Sequence, residues 1–291
     1  MHSDPVSRRA FLVGTAGLGA GVALATATAG LTAGAAGALL PRANKAISPL
    51  VLATDLHASP DPQRFVFAIA RGSKYASFGP AQVAFAAPGA SEGTVLDTHL
   101  YKDGLPKGRG IYVTEAAFPV AGVWKAIAAV QGKKVPFVVQ VNEKAVAPVV
   151  GSAAPTAASP TPTATLGVDP ICTREPKCPL HDTSLSDLVG NGKPLAVMFA
   201  TPALCQSQYC GPVLDEMLGI MAPYAAKGVQ FAHVEIYASN RGATLSPTVE
   251  AWGIETEPWL FTIDGAGIIK ERLDGAMATN EVSAALDRIV A

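Results

Sequence analysis

Residues 146–170, VAPVVGSAAPTAASPTPTATLGVDP, cluster Pro, Ala, Ser and Thr without an apolar period. Such a composition cannot build a core and reads as a stiff, extended spacer. It marks a domain boundary, and the pattern of the chain changes across it. Short apolar or alternating runs fill residues 47–145, whereas strand-like and helix-like periods alternate over 171–291. The 291 residues are enough for two ordinary domains.

Ahead of the spacer stand PLVLATDL, RFVFAIARG, AQVAFAAPG, TVLDTHLYK, GIYVTEAAFPV, GVWKAIAAVQ and KVPFVVQV, separated by Gly, Pro, Asp and Lys clusters. Seven such runs in about 95 residues predict an all-β immunoglobulin-like sandwich. Gln131-Gly132-Lys133-Lys134 is the expected hairpin turn between the last two. The stretch AAFPVAGVWKAIAAV resembles the penultimate hairpin of small bacterial Ig-like modules. No cysteine lies here, so the domain lacks an antibody-type disulfide, and Trp124 is expected in its core. His57 and His99 are isolated in sequence, with nothing near either to complete a metal set.

Residues 1–46 carry a different signal. Ser7-Arg8-Arg9-Ala10-Phe11-Leu12 is followed by a charge-free run from Ala10 to Pro41. This resembles a twin-arginine (Tat) signal peptide. At about 1.5 Å per residue such a run could span a bilayer as an anchor. Gly, Ala and Thr make poor lipid-facing surface, however, and Ala33-Gly34-Ala35 and Ala36-Gly37-Ala38 offer A-x-A-like cleavage sites. The expectation is an exported, extracytoplasmic protein that meets the membrane only through an uncleaved signal. A formal net charge of −1 gives no basic surface for nucleic acid.

Beyond the spacer, SLSDLVGNGKPLAVMFATPALC reads as a short helix or turn and then a buried strand from Pro194 to Thr201. A helix is expected through GPVLDEMLGIMAPYAAKG, ended by Gly228. Strand VQFAHVEIYA, a helix around LSPTVEAWG, strands WLFTIDGAG and IIKERLDG, and helix TNEVSAALDRIVA complete an α/β sheet of mixed direction. Over about residues 168–291 this order is similar to the TlpA-like thioredoxins. LSDLVGNGKPLAVMFAT resembles that family's first core strand and its approach, and GIETEPWLFTIDGAG its cis-proline segment. The resemblance implies a thioredoxin-like fold with Pro258 as the substrate-facing cis-proline. It also implies that Cys205 is the attacking thiolate at the start of the first long helix, where unpaired N–H groups favour an anion.

Two departures stand against it. Cys205 and Cys210 form Cys-x4-Cys rather than Cys-x-x-Cys. Positions five apart in an ideal helix have Cα atoms about 8.7 Å apart, and a disulfide needs less than about 7 Å. The pair can join only if the first helical turn is unwound. Read the other way, Cys210-Gly211-Pro212-Val213 looks like a C-G-P-C motif that has lost its second cysteine. No acid lies in AVMFAT to take up a proton. Thr201-Pro202-Ala203-Leu204-Cys205 through Cys210-Gly211 is also similar to PrxQ-type peroxiredoxins, whose two cysteines are five apart. There Cys205 would attack peroxide and Cys210 would resolve the sulfenic acid. That family's threonine lies three residues before its cysteine, while Thr201 lies four before Cys205, and Glu and Pro stand where its arginine is expected.

The other two cysteines, Cys172 and Cys178 in ICTREPKCPLHD, read as a small loop closed by a structural disulfide. Proximity alone favours 172–178 and 205–210 among the three pairings. Cys178 with His181 supplies two metal ligands, too few for a specific site, and the Cys-x-x-x-Cys of Sco-type copper proteins is absent. His233 and Glu235 share one strand face, with a half-buried structural role expected.

The function these residues imply is an extracytoplasmic thiol–disulfide oxidoreductase. Cys205 attacks, Cys210 resolves and Pro258 faces the substrate, with exported protein thiols or a membrane thiol reductase as partners. No cofactor is expected, since nothing points to nucleotide, flavin or haem. Two alternatives stay open: a non-catalytic thioredoxin-fold binding protein with structural disulfides, and a PrxQ-like thiol peroxidase.

Overall fold

Alternation along the N-terminal runs produces nine strands among the described residues: β1 (Ile47–Val51), β2 (Ser59–Arg71), β3 (Lys74–Ala76), β4 (Ala81–Ala86), β5 (Thr94–Asp97), β6 (His99–Tyr101), β7 (Ile111–Phe118), β8 (Gly122–Val130) and β9 (Lys133–Val141). The structure, a computed structural model, describes residues 47–72, 74–205, 209–242 and 244–290. The expected signal peptide, 1–46, lies outside the described residues. One antiparallel sheet runs β1-β2-β7-β6 with β3 on β2, and a second runs β5-β4-β8-β9. Their apolar faces meet in one core that holds Phe65, Phe67, Phe85, Phe118 and Trp124. Trp124 is buried there, edge-on to Phe118 at 5.1 Å between ring centroids.

The structure splits one expected strand. TVLDTHLYK is divided into β5 and β6, which belong to opposite sheets. Thr98 makes the crossing, with its N–H and its hydroxyl both donating to Ala81 O, at 3.3 and 2.7 Å. Between β8 and β9 the turn is Gln131-Gly132, both at positive φ (49° and 70°). That conformation matches the twist of the two strands that it joins.

The C-terminal region builds α1 (Leu185–Leu188), β10 (Leu195–Phe199), α2 (Cys210–Ala225), β11 (Gln230–Val234), α3 (Pro247–Ala251), β12 (Trp259–Ile263), β13 (Ile269–Asp274) and α4 (Thr279–Asp287). The sheet order is β11-β10-β12-β13. β10 is parallel to β11 and antiparallel to β12, which is antiparallel to β13. This is the expected α/β sheet of mixed direction. The central β10 and β12 are buried at every position, as strands covered on both faces must be. Helix α2 carries Pro212 in its first turn, where the missing N–H leaves no helical bond unmade. Past its end Gly228, at φ 92°, turns the chain into β11.

The spacer expectation is overturned. Residues 146–170 lie against the α/β layer and are held there mainly by backbone groups, which composition does not reveal. Gly151 N–H donates to Ile269 O, Ile269 N–H to Ser152 O and Ala154 N–H to Gly267 O, at 2.8–3.0 Å. The segment thus covers part of the free edge of β13. Ser159 Oγ accepts the first N–H of α1, at 2.9 Å from Leu185 N. A Cβ on Gly253 would lie 2.5 Å from Val146 O, so that glycine is required for the close approach.

The sandwich and the α/β layer belong to one structural unit. Arg64 on β2 is buried against α4, with Nε 2.8 Å from Glu281 Oε1, and it donates to Asp274 O and Ala276 O, both at 2.7 Å. Asp55 binds Arg272 at 2.9 Å and accepts the N–H groups of Val146 and Ala147. Among the described residues no helix is long and apolar enough to cross a membrane.

Candidate functional site

Strand β10 ends at Phe199, and the chain makes a turn in which the N–H groups of Leu204 and Cys205 reach Thr201 O. Helix α2 then begins at Cys210, not at Cys205 as the family resemblance implies. That offset is what allows the wide spacing to close. With Cys205 outside the helix, the two Cα atoms stand 6.0 Å apart and the sulfurs are joined in a disulfide. The sequence-based condition, that the first turn be unwound, is met by starting the helix later.

The two sulfurs are not equivalent. Cys210 is fully buried, while Cys205 is half-buried. The N–H of Cys210, at the N-terminus of α2, points at Cys205 Sγ from 3.4 Å. This is a donor aimed at the sulfur that would carry negative charge after reduction. The peptide bond Glu257–Pro258 is cis. The carboxylate of Glu257 and the sulfurs of Cys205 and Cys210 lie within 4.8 Å of one another. The structure therefore brings Cys205, Cys210 and the Pro258 segment together. Sequence reading had noted Glu257 only as a residue where an arginine was missing.

Tyr209, just before α2, is buried, and burial raises its pKa while Arg109 of the sandwich opposes that shift. The sandwich thus reaches the helix start. A polar cavity of about 540 Å³, lined among others by Arg64, Glu115, Arg272 and Arg288, includes neither cysteine pair.

The second pair departs from expectation. Cys172 and Cys178 are free thiols, buried, with sulfurs 3.7 Å apart. No disulfide closes their loop, and two imidazoles share the space with them. His181 Nε2 lies 3.3 Å and His233 Nδ1 3.4 Å from Cys178 Sγ, and the two nitrogens are 3.2 Å from each other. Cys172, Cys178 and His181 come from the loop before α1; His233 comes from β11, opposite Met198 of β10. His233 N–H donates to Leu180 O at 3.1 Å, which ties the loop to the strand. Hydrogen bonding from Cys178, then from the two imidazoles, holds the Cys172 thiol well below its usual range, and the same pairing pushes Cys178 up.

His233 and Glu235 are buried rather than half-buried. Burial pushes the Glu235 carboxyl up, opposed by His233 and by hydrogen bonds from Thr173 and Thr201. The two cysteine sites share one apolar cluster that includes Met198, Ala200 and Tyr209. Ala203 N–H, beside Cys205, donates to Thr173 Oγ1, beside Cys172, at 3.2 Å.

No family model matches the chain, and no curated protein matches it. Solved structures that are similar to part of it include a putative thiol:disulfide interchange protein DsbE from Chlorobium tepidum, at 19% identity over 49% of this chain and 99% of that one, with a TM-score of 0.36. A thioredoxin family thiol:disulfide interchange protein from Chlorobium tepidum TLS is 16% identical over 50% of this chain and 100% of its own, with a TM-score of 0.34. The thioredoxin-like superfamily protein SPOA0173 is 17% identical over 38% of this chain and 86% of its own, with a TM-score of 0.27.

Proposed function

We propose that this protein is a thioredoxin-like thiol–disulfide oxidoreductase working outside the cytoplasmic membrane. The observation that carries the reading is the asymmetry of the Cys205–Cys210 bond: one cysteine half-buried with its sulfur faced by a helix N–H, the other buried, with a cis-proline segment alongside. The sheet order β11-β10-β12-β13, with α2 following β10, supports the thioredoxin-like assignment. The sheets β1-β2-β7-β6 and β5-β4-β8-β9 support an immunoglobulin-like reading of the sandwich. Export rests on the Tat-like residues near the N-terminus.

In the reducing direction the Cys205 thiolate attacks one sulfur of a client disulfide, and the other client sulfur leaves as a thiolate. Cys210 then gives its proton to the departing client thiolate and attacks Cys205. This frees the second client thiolate and restores the Cys205–Cys210 disulfide. The client gains two electrons and the protein loses two, which an exported thiol or a membrane thiol reductase must return. Oxidation of a client is the same sequence reversed. Glu257, whose carboxyl group lies beside the sulfurs, gives less support to a peroxidase, a class in which resemblance implies an arginine there.

The test is the redox potential of the pair in glutathione buffers, together with trapping by Cys210→Ser. A potential between about −120 and −270 mV and covalent, thiol-sensitive adducts on Cys205 are expected. A value below about −300 mV with no adduct would make the bond a static crosslink.

A further inference from the structure

We propose that Cys172, Cys178, His181 and His233 bind one zinc ion in a closed, four-coordinate site. Their ligating atoms all lie within 4.8 Å of one another. Tetrahedral zinc with Zn–S of about 2.3 Å and Zn–N of about 2.05 Å sets S···S at about 3.8 Å, S···N at about 3.6 Å and N···N at about 3.4 Å. The protein has S···S of 3.7 Å, S···N of 3.3 and 3.4 Å and N···N of 3.2 Å. These four of the cage's six edges each fall within about 0.3 Å of the zinc values, and the remaining two, from Cys172 Sγ to the imidazole nitrogens, are under 4.8 Å.

Outer contacts orient the donors. Ala200 O can only accept, so His233 Nε2, 3.0 Å away, must carry the proton. The lone pair of His233 then sits on Nδ1, facing Cys178 Sγ and His181 Nε2. Cys178 N–H points at Cys172 Sγ from 3.4 Å, which suits a sulfur carrying negative charge. All four residues are between 2% and 7% exposed, so no open coordination position faces solvent. Two sulfurs and two nitrogens in this geometry select zinc over oxygen-seeking ions, and a closed shell makes the site structural.

The experiment uses the full chain carrying Cys205→Ser and Cys210→Ser, so that metal cannot be held by the other cysteine pair. After reconstitution with zinc chloride under thiol reductant and desalting, elemental analysis is expected to find one zinc per chain. Adding Cys178→Ser or His233→Ala is expected to lower that content at least about tenfold. Cobalt in place of zinc, in the parent chain, is expected to give the strong visible bands of a tetrahedral thiolate complex. The cobalt spectrum is read in parent chain that circular dichroism shows to be folded, so the test does not depend on how the added variants fold. A folded parent chain that holds no zinc, a weak octahedral cobalt spectrum, or an undiminished content in folded His233→Ala would overturn the proposal. So would a Cys172–Cys178 disulfide persisting in protein loaded with zinc.

Discussion

Cys205–Cys210 and Cys172–Cys178 are two pairs of nearly equal spacing, five and six residues, in one apolar cluster. The first is bonded, with one sulfur half-open and a helix N–H on it. The second is unbonded and buried, and two imidazole nitrogens close the space around it. Spacing therefore does not decide what a cysteine pair does. The first pair has a donor and an open side, which suits exchange with another thiol. The second has two sulfurs and two imidazole nitrogens within 4.8 Å of one another, which suits a cation.

The comparison breaks most sharply on stability. A metal held at about a thousandfold above its Kd contributes about 4 kcal/mol. His233→Ala, or chelation of the wild-type protein, is expected to cost that much in urea denaturation. A cost below about 1 kcal/mol would make the two pairs energetically alike. Losing the Cys205–Cys210 bond is expected to cost less. Its loop is short, so chain entropy allows only about 2 kcal/mol for Cys205→Ala with Cys210→Ala, read from the same denaturation curves. Glu257→Gln removes a negative charge beside the sulfurs. The expected result is a roughly threefold to tenfold faster alkylation of Cys205 in reduced protein at neutral pH, followed by mass spectrometry; an unchanged rate would mean the carboxylate does not act on Cys205. The smallest effect concerns the bond that joins the two sites, Ala203 N–H to Thr173 Oγ1. Thr173→Val is expected to move the Cys205–Cys210 potential by about 10–30 mV, the equivalent of one hydrogen bond. No shift at all would mean that the two sites are uncoupled.

Much of this was legible in the chain. Alternating runs and Gly/Pro punctuation located the sandwich strands, and the element order from Pro194 onward located the mixed sheet. The Cys205, Cys210 and Pro258 constellation followed from resemblance, and the structure sets Glu257, next to cis-Pro258, beside the two sulfurs. What the sequence concealed depends on partners far apart. His233 is 52 residues from His181, and only the pairing of β11 beside β10 brings its ring to the loop. The legible hint was Cys-x5-Cys-x2-His in one loop, which lacked a fourth donor until the sheet supplied it. Thr98 could not be read as a sheet crossing because its neighbours keep a strand-like pattern on both sides. Residues 146–170 misled because their attachment uses peptide groups, which are the same in every composition.

That attachment bears on how the molecule can be divided. A fragment cut at residue 171 would remove Ser159 from the start of α1 and strip the strand-like cover from Ile268 and Ile269. It would also leave Arg272 without Asp55, Ala147 O and Pro148 O. The α/β half is therefore not a portable cassette whose ends coincide with a change in amino-acid content. A start near residue 146 keeps those segment contacts, yet Glu281 then loses Arg64 and Arg272 loses Asp55.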